Sequence, residues 1–362
     1  MTSMSAQSVA ALLGSEDLLT AYGFSAQAQV SRFGNGHINR TFLFEEPATA
    51  KKLIVQQINT AIFPEPQALV NNASAIAAHL QFKQQAGVFN QQVLLQAATV
   101  DGELLAGADR SFRALCFIEG GRSIEVVETP EQAYAAALTF GEFAAALADF
   151  PAQQLHTVIP DFHNLRFRFS QLQQAIDANP VGRLASCQSL VDECLAQQPL
   201  VVELERVCAG LPMRVCHNDT KINNMLYSDE LGRGIATIDL DTCMAGYWLF
   251  DFGDMVRTCC SPEPEDSLNT ELVRIRPEIF AALARGYLAG LGSIITDAER
   301  HSLLLGAKVM CLMIGVRFLT DHLNGDTYFA IHRPNHNLQR AENQLRLFRD
   351  LLAQQQELVA QF

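Results

Sequence analysis

Apolar residues in the first third of the chain recur with a strand-like spacing. Residues 26–30 and 41–44 read as β-type runs, joined by the glycine-containing turn Phe33-Gly34-Asn35-Gly36-His37-Ile38-Asn39. A third such run at 53–58 leads into a helix over 66–85, and a fourth covers 114–121, ending in the flexible Glu119-Gly120-Gly121. The pattern then becomes helical. Thr129-Pro130-Glu131-Gln132 has the form of a capping box with Pro at the first helical position, opening a helix to about residue 150. Thr296-Asp297-Ala298-Glu299 opens another that should end near Asn324-Gly325, and a final helix is expected over 337–359. One strand pair interrupts the helices: residues 225–227 and 235–238 flank the polar turn Gly232-Arg233-Gly234 and read as a hairpin. Strands first and helices after predict an α+β chain with a small β-rich part over 1–118 and a larger, mostly helical part over 119–362.

The hairpin carries the candidate chemistry at its ends. Immediately before it runs His217-Asn218-Asp219-Thr220-Lys221-Ile222-Asn223-Asn224, in which His217, Asp219 and Asn224 meet the kinase template H-R-D-x-x-x-x-N and Lys221 sits two residues after the acid. Immediately after it comes Ile238-Asp239-Leu240-Asp241. Phosphoryl transfer demands an aligned acceptor hydroxyl and neutralised phosphate oxygens. Asp219 suits the first task, as a carboxylate that accepts the hydroxyl hydrogen bond and receives its proton. Asn224 and Asp239 suit the second as hard oxygen ligands for Mg²⁺, brought together by strand pairing, with Lys221 adding positive charge beside the γ-phosphate. Asp251-Phe252-Gly253 spells the metal triplet of protein kinases but does not close the hairpin, so Asp251 is read as the cap of the next helix and a brace for the catalytic loop.

Upstream, Gly34, Asn35 and Gly36 are placed to cover nucleotide phosphates, although Asn39 replaces the third glycine of G-x-G-x-x-G. His37 either faces the acceptor or covers the turn. The run ending at Phe117 lies where a kinase has its hinge, so adenine would pair with backbone groups there. The strand position that holds the phosphate-binding lysine of a kinase carries Gln56, and no Glu follows Glu65 in the next helix. Either Lys221 with a nearby cation supplies the missing charge, or Lys51 or Lys52 reaches in.

Composition narrows the field. A length of 362 residues with 49% hydrophobic and 18% charged content allows large cores, and a net charge of -13 disfavours a nucleic-acid partner. The N-terminal Met1-Thr2-Ser3-Met4-Ser5 lacks the basic start of a signal peptide. The most apolar segment, 303–319, contains Lys308 and Arg317 and reads as a buried amphipathic helix, with no membrane span expected. Nine cysteines without a C-x-x-C pair suit reduced, cytoplasmic packing residues, Cys216 and Cys243 beside the candidate site included.

The catalytic loop, the Ile-Asp-x-Asp segment and the hinge-like Phe117-Ile118-Glu119-Gly120 resemble the aminoglycoside phosphotransferase and choline kinase superfamily over nearly the whole chain. The resemblance implies a two-lobed protein-kinase-like fold. More narrowly, Gly34 to Asn39, Gln56-Gln57-Ile58-Asn59, the catalytic loop and Arg317-Phe318-Leu319-Thr320-Asp321 resemble the N-acetylhexosamine 1-kinases, which use ATP and Mg²⁺ to phosphorylate the anomeric hydroxyl of N-acetylglucosamine or N-acetylgalactosamine. That resemblance implies Asp219 as base, Asn224 and Asp239 as magnesium ligands, and an acceptor site drawing on His37, Asn39, Arg317, Asp321 and Tyr328. The similar kinases also carry Gln at the strand position. Two other readings stay open: a kinase for an aminoglycoside, choline, homoserine or another hydroxyl acceptor, and a nucleotide-binding regulator without catalysis.

Overall fold

The computed structural model describes residues 17–34 and 38–362, so Asn35, Gly36 and His37 of the glycine turn lie outside the described residues. After the short helix α1 (Asp17–Ala21), strands β1 (Gln29–Arg32), β2 (Arg40–Glu46), β3 (Lys51–Gln57) and β6 (Phe112–Cys116) lie side by side, every pairing antiparallel. The short β4 (Gln96–Ala97) and β5 (Leu105–Ala106) both pair with β6. Strand alternation sends Phe42, Phe44, Leu53, Val55, Phe112 and Ala114 into a core shared with Tyr22, Phe24 and Val30. The intervening residues fall on the other face, where the register sets Thr41, Gln56 and Arg113 in one row across three strands. Helix α2 (Pro66–Gln85) starts on Pro66 and buries Leu69, Val70, Ile76 and Leu80.

The rest of the chain is mainly helical: α3 (Pro130–Ala146), α4 (Leu165–Ala178), α5 (Leu184–Ala196), α6 (Pro199–Cys208), α7 (Trp248–Cys259), α8 (Pro277–Leu291), α9 (Asp297–Leu323) and α10 (His336–Val359). Short strands lie between them: β7 (Arg122–Ser123), β8 (Arg214–Cys216), β9 (Met225–Ser228), β10 (Arg233–Thr237) and β11 (Met244–Gly246). β9 and β10 form the expected hairpin, with β7 added on the far side of β9, and β8 pairs with β11. Helix α9 is long and apolar enough to cross a membrane, but 83% of its apolar window is buried, so it serves as a core helix. Its start is the full capping box expected from Thr296 and Glu299.

Local expectations were displaced where side chains chose other partners. Strand β1 begins at Gln29 because the preceding residues turn, with Ala28 N–H donating to Ser25 O and Ser25 N–H to Glu46. At α3, Thr129 accepts from the Gln132 N–H, but the Gln132 side chain accepts from Glu128 N–H, so the capping box closes only on one side. That helix stops at Ala146, before the expected 150, and its last residues unwind through turns into Pro151, which disfavours a helical residue before it.

Candidate active site

Strand β8 delivers the catalytic loop, and the β9–β10 hairpin returns the chain to its start. Ile238 N–H donates to Asn224 O at 2.9 Å, which brings the two ends of the hairpin together with Asn224 and Asp239 on them. Asn218 and Asp239 take positive φ (64° and 59°), a conformation that short polar side chains tolerate. His217 is buried edge-on to Phe140 and Phe143. Its Nε2–H donates to Ile238 O (2.9 Å), and its Nδ1 accepts from Asp219 N–H (3.3 Å), so the imidazole fixes the backbone at the acid.

Asp251 departs from the helix-cap reading. It already lies inside α7, and its carboxylate turns away from that helix to accept the His217 and Asn218 N–H groups at 2.9 and 2.7 Å. Its carbonyl takes the Thr220 hydroxyl at 2.6 Å. Burial pushes its carboxyl up to about 6, against the pull of those N–H bonds and of His217. The brace depends on α7 lying tight against α9: a Cβ at Gly253 or Gly306 would collide with backbone across the crossing. Asp251 thus braces the loop and sits outside the lining of the cleft, while Asp239 lies on it.

The loop opens on a cleft of about 420 Å³ lined by Asp219, Lys221, Asn224, Asp239 and Asp241 together with Asn39, Thr41 and Gln56. Asp219 is held from two sides. Lys221 Nζ lies 3.0 Å from Oδ1, and Asn224 Nδ2 donates to both Oδ2 (2.9 Å) and the Asp219 carbonyl (2.8 Å). Burial works to raise the Asp219 pKa, but Lys221, His217 and Arg257 outweigh it and hold the carboxyl below its usual value. The opposite holds for Asp239: enclosure in the cleft, then the negative charges of Asp241 and Asp219, pushes it up to about 7. Neighbouring carboxylates with divergent proton affinities suit a division of labour between a base and a charge-seeking ligand.

A divalent cation fits this donor set. Asp239 is a carboxylate crowded by like charge, and Asn224, whose nitrogen is spent on Asp219, has its carbonyl oxygen left as a hard donor. Among the described residues no cluster of three or more His, Cys, Asp or Glu side chains would hold a metal unaided. Such a sparse set matches Mg²⁺, which keeps waters and takes substrate phosphates as further ligands.

On the sheet side, neither Lys51 nor Lys52 reaches the cleft. Lys51 Nζ donates to Tyr22 O at 2.6 Å over the Phe24 ring, and Lys52 pairs with Glu119 at 3.0 Å over the Phe117 ring. Phe117 itself sits edge-on to Phe33, outside the cleft lining. Gly34 takes a φ of 71°, as a glycine turn requires. Asn39 bridges the end of that turn to the catalytic side, donating to Asp241 Oδ2 (2.7 Å) and accepting from Asn59 N–H (3.0 Å). The cation that pattern reading missed is Arg113. It is buried on β6, donates twice to Gln56 Oε1 (2.7 and 3.0 Å), and lies 2.5 Å from Asp241 Oδ1. A charged residue inside the otherwise apolar run Phe112–Cys116 was the available signal.

Of the acceptor residues implied by resemblance, Asn39 lines this cleft, His37 lies outside the described residues, and Arg317, Asp321 and Tyr328 are not part of the lining. Arg317 is boxed by Phe162, Tyr328 and Phe329, with its guanidinium 5.3–5.7 Å from each ring centre. Asp321 is buried and accepts the N–H groups of Thr327, Tyr328 and Phe329, fixing the loop after α9. Tyr328 is 57% exposed. The cleft wall opposite the sheet is instead made by Arg257, Glu263, Glu265, Arg340, Asn343 and Gln344. Arg257 is ion-paired with Asp254 at 2.8 Å and with Glu265.

An acid restrained by a lysine and an asparagine lies on a cleft between sheet and helices, the arrangement expected of a phosphotransferase site. A family model described as the phosphotransferase enzyme family matches residues 29–302, and the chain belongs to that family. Its fold is shared with an aminoglycoside phosphotransferase from Alicyclobacillus acidocaldarius (14% identity, 94% of this chain and 95% of that chain covered, TM-score 0.55). An ethanolamine kinase from Plasmodium vivax is similar at 13% identity, covering 88% of this chain and 82% of that chain, with a TM-score of 0.55. A spectinomycin phosphotransferase solved with ADP and spectinomycin matches at 14% identity, 96% and 99% coverage, and a TM-score of 0.50. The likeness is one of fold, the two-lobed α+β protein-kinase-like architecture.

Proposed function

We propose that this chain is an ATP- and Mg²⁺-dependent kinase that phosphorylates the anomeric hydroxyl of N-acetylglucosamine or N-acetylgalactosamine, giving the sugar 1-phosphate and ADP. The observation that carries the kinase reading is the double restraint on Asp219 by Lys221 and Asn224 within reach of Asp239. Asp219 stays ionised at neutral pH, so it accepts a hydrogen bond from the acceptor hydroxyl, orients the oxygen, and takes the proton as the new O–P bond forms and the bond to the leaving ADP oxygen breaks. Lys221 offsets charge beside the transferred group. Asp239 and Asn224 would hold a Mg²⁺, which when bound would supply charge neutralisation at the phosphate oxygens. An anomeric hydroxyl is more acidic than an ordinary sugar alcohol, so a carboxylate of low proton affinity suffices as its base.

The choice of a sugar rests on the narrow motif resemblance and on the wall of the cleft. Aminoglycosides and choline demand uncompensated acids or an aromatic cage. Here the aromatic lining residue of the cleft is Phe63 alone among the described residues, so no ring cage is formed; Glu265 shares Arg257 with Asp254, Arg340 adds positive charge, and the further lining acids Glu125, Glu263 and Asp266 make a cationic acceptor the reading to be tested against the sugar. The ring cluster of Phe162, Tyr328 and Phe329 already encloses the chain's own cation, Arg317. Asn343 and Gln344 line the same wall, with Asn343 held by Pro264 O and by Gln344, and Gln344 Oε1 is the amide oxygen without a protein partner among the described residues. ATP consumption measured across N-acetylhexosamines, plain hexoses, aminoglycosides, choline and homoserine, followed by phosphorus NMR of the product, tests the reading. A 1-phosphate of an N-acetylhexosamine is expected; a 6-phosphate, or rapid choline or aminoglycoside turnover without a sugar product, overturns it.

A further inference from the structure

A kinase normally draws positive charge toward the nucleotide phosphates from a lysine on the third strand. In this chain that position is Gln56, and the two lysines of β3 are turned to Tyr22 and Glu119. The register places Arg113 directly opposite Gln56 on the neighbouring strand. We propose that Arg113 replaces the strand lysine from one strand over, as a positioning residue that acts through Gln56 and Asp241. This inference rests on the kinase reading above.

Three features of the geometry support it. Arg113 does not line the cleft, whereas Gln56, Thr41, Asn39 and Asp241 do, so its charge is set immediately behind the lining. Both Nε and Nη2 of Arg113 donate to Gln56 Oε1, which fixes the amide with its oxygen inward and leaves Nε2, beside Thr41 Oγ1 at 3.2 Å, as the end able to donate to a phosphate. The same guanidinium meets Asp241, whose other oxygen accepts from Asn39. One planar cation therefore couples the glycine turn, β3, β6 and the turn that follows the catalytic hairpin. A lysine has no fork with which to hold two partners at fixed angles. A lysine at position 56 would also set a second cation beside Arg113, so Gln56 and Arg113 form a unit in which one charge serves both strands.

The test moves the charge back. ADP binding is measured by calorimetry, with and without Mg²⁺, together with thermal unfolding, for wild type, Arg113→Gln, Arg113→Lys and the double variant Gln56→Lys/Arg113→Gln. Arg113→Gln is expected to weaken ADP binding about tenfold, in the range of a lost charge-assisted contact, and Arg113→Lys to recover part of it. The double variant is expected to bind ADP within about threefold of wild type, because it restores a cation at the strand position. A purely structural role predicts lower stability in Arg113→Gln and in the double variant, with no rescue of affinity. Folded Arg113→Gln with wild-type ADP affinity overturns the inference, as does a folded double variant that binds no better than the single one. Should Arg113→Gln not fold, the double variant decides alone: folding with ADP binding supports the relocated charge, and failure of either refutes it. Absence of nucleotide binding by the unaltered chain would instead remove the kinase reading itself.

Discussion

Arg113 and Asp241 meet at 2.5 Å across the seam between the sheet and the catalytic hairpin, with side chains only 3% and 5% exposed. A buried pair is a weak source of net stability, but the loss of one member is expensive because the other keeps its charge without a partner. Asp241→Ala should therefore cost about 3–5 kcal/mol in denaturant unfolding. The double variant Arg113→Gln/Asp241→Asn should recover much of that. A loss in the double variant equal to the sum of the Arg113→Gln and Asp241→Asn single losses would show that the two side chains do not depend on each other.

The restraint of Asp219 by Lys221 and Asn224 predicts a clean separation of binding from chemistry. Asp219→Asn should keep its fold and ADP affinity while turnover falls by about 10²- to 10⁴-fold, the range of a positioned general base. Near-normal turnover would remove the base assignment.

Asp239 and Asp251 are set apart by what their carboxylates face. Asp239 lines the cleft, so Asp239→Ala should abolish divalent-dependent turnover with little loss of thermal stability. Asp251 holds two buried N–H groups of the catalytic loop, so Asp251→Ala should orphan both and lower the unfolding midpoint, at about 1–3 kcal/mol for each unsatisfied group. The reverse pattern would make Asp251 the metal ligand.

The differing legibility of these residues has a physical basis. The hairpin and its ends were readable because they depend on two short strands and a turn, all local in sequence; likewise α9, announced by its own capping box. For Asp251 the brace of the catalytic loop was legible but the cap was not the role taken, because an acid near the start of a helix carries the same local signal whether its carboxylate serves its own helix or, as here, a loop more than thirty residues earlier. The Arg113 contact was out of reach for another reason. It needs the register of β3 against β6, strands separated by α2 and by the short β4 and β5, and only that register decides that position 113 faces position 56. The same holds for Arg317, whose box includes Phe162 from a distant segment.

Arg317 separates the implied sugar contact from a packing role. As an acceptor ligand with a planar fork, its replacement by Ala should raise KM for the sugar severalfold more than KM for ATP. Steady-state kinetics at saturating co-substrate measure both. An unchanged sugar KM accompanied by a lower unfolding midpoint would confine Arg317 to its ring cluster with Phe162, Tyr328 and Phe329.

The last prediction concerns acidity. Burial raises the folded-state pKa of Asp251 from 3.8 to about 6, so the native chain holds this proton more tightly than the unfolded chain does. The resulting stabilisation is fully present below the unfolded value near 3.8 and is lost as pH rises through about 6. Asp251→Asn removes the titration while keeping the shape. Other groups titrate in the same interval, so the informative quantity is the difference between wild type and variant. Wild type should gain stability relative to Asp251→Asn as pH falls from 7 to 4, with the steepest change between the unfolded value of 3.8 and the folded value of about 6 and a flat difference above 7. Parallel urea titrations at several pH values read this directly. A difference that stays constant across the window, or that shrinks toward acid pH because the variant loses less, would show that the carboxylate is held ionised by the two N–H bonds it accepts and that burial does not dominate its proton affinity.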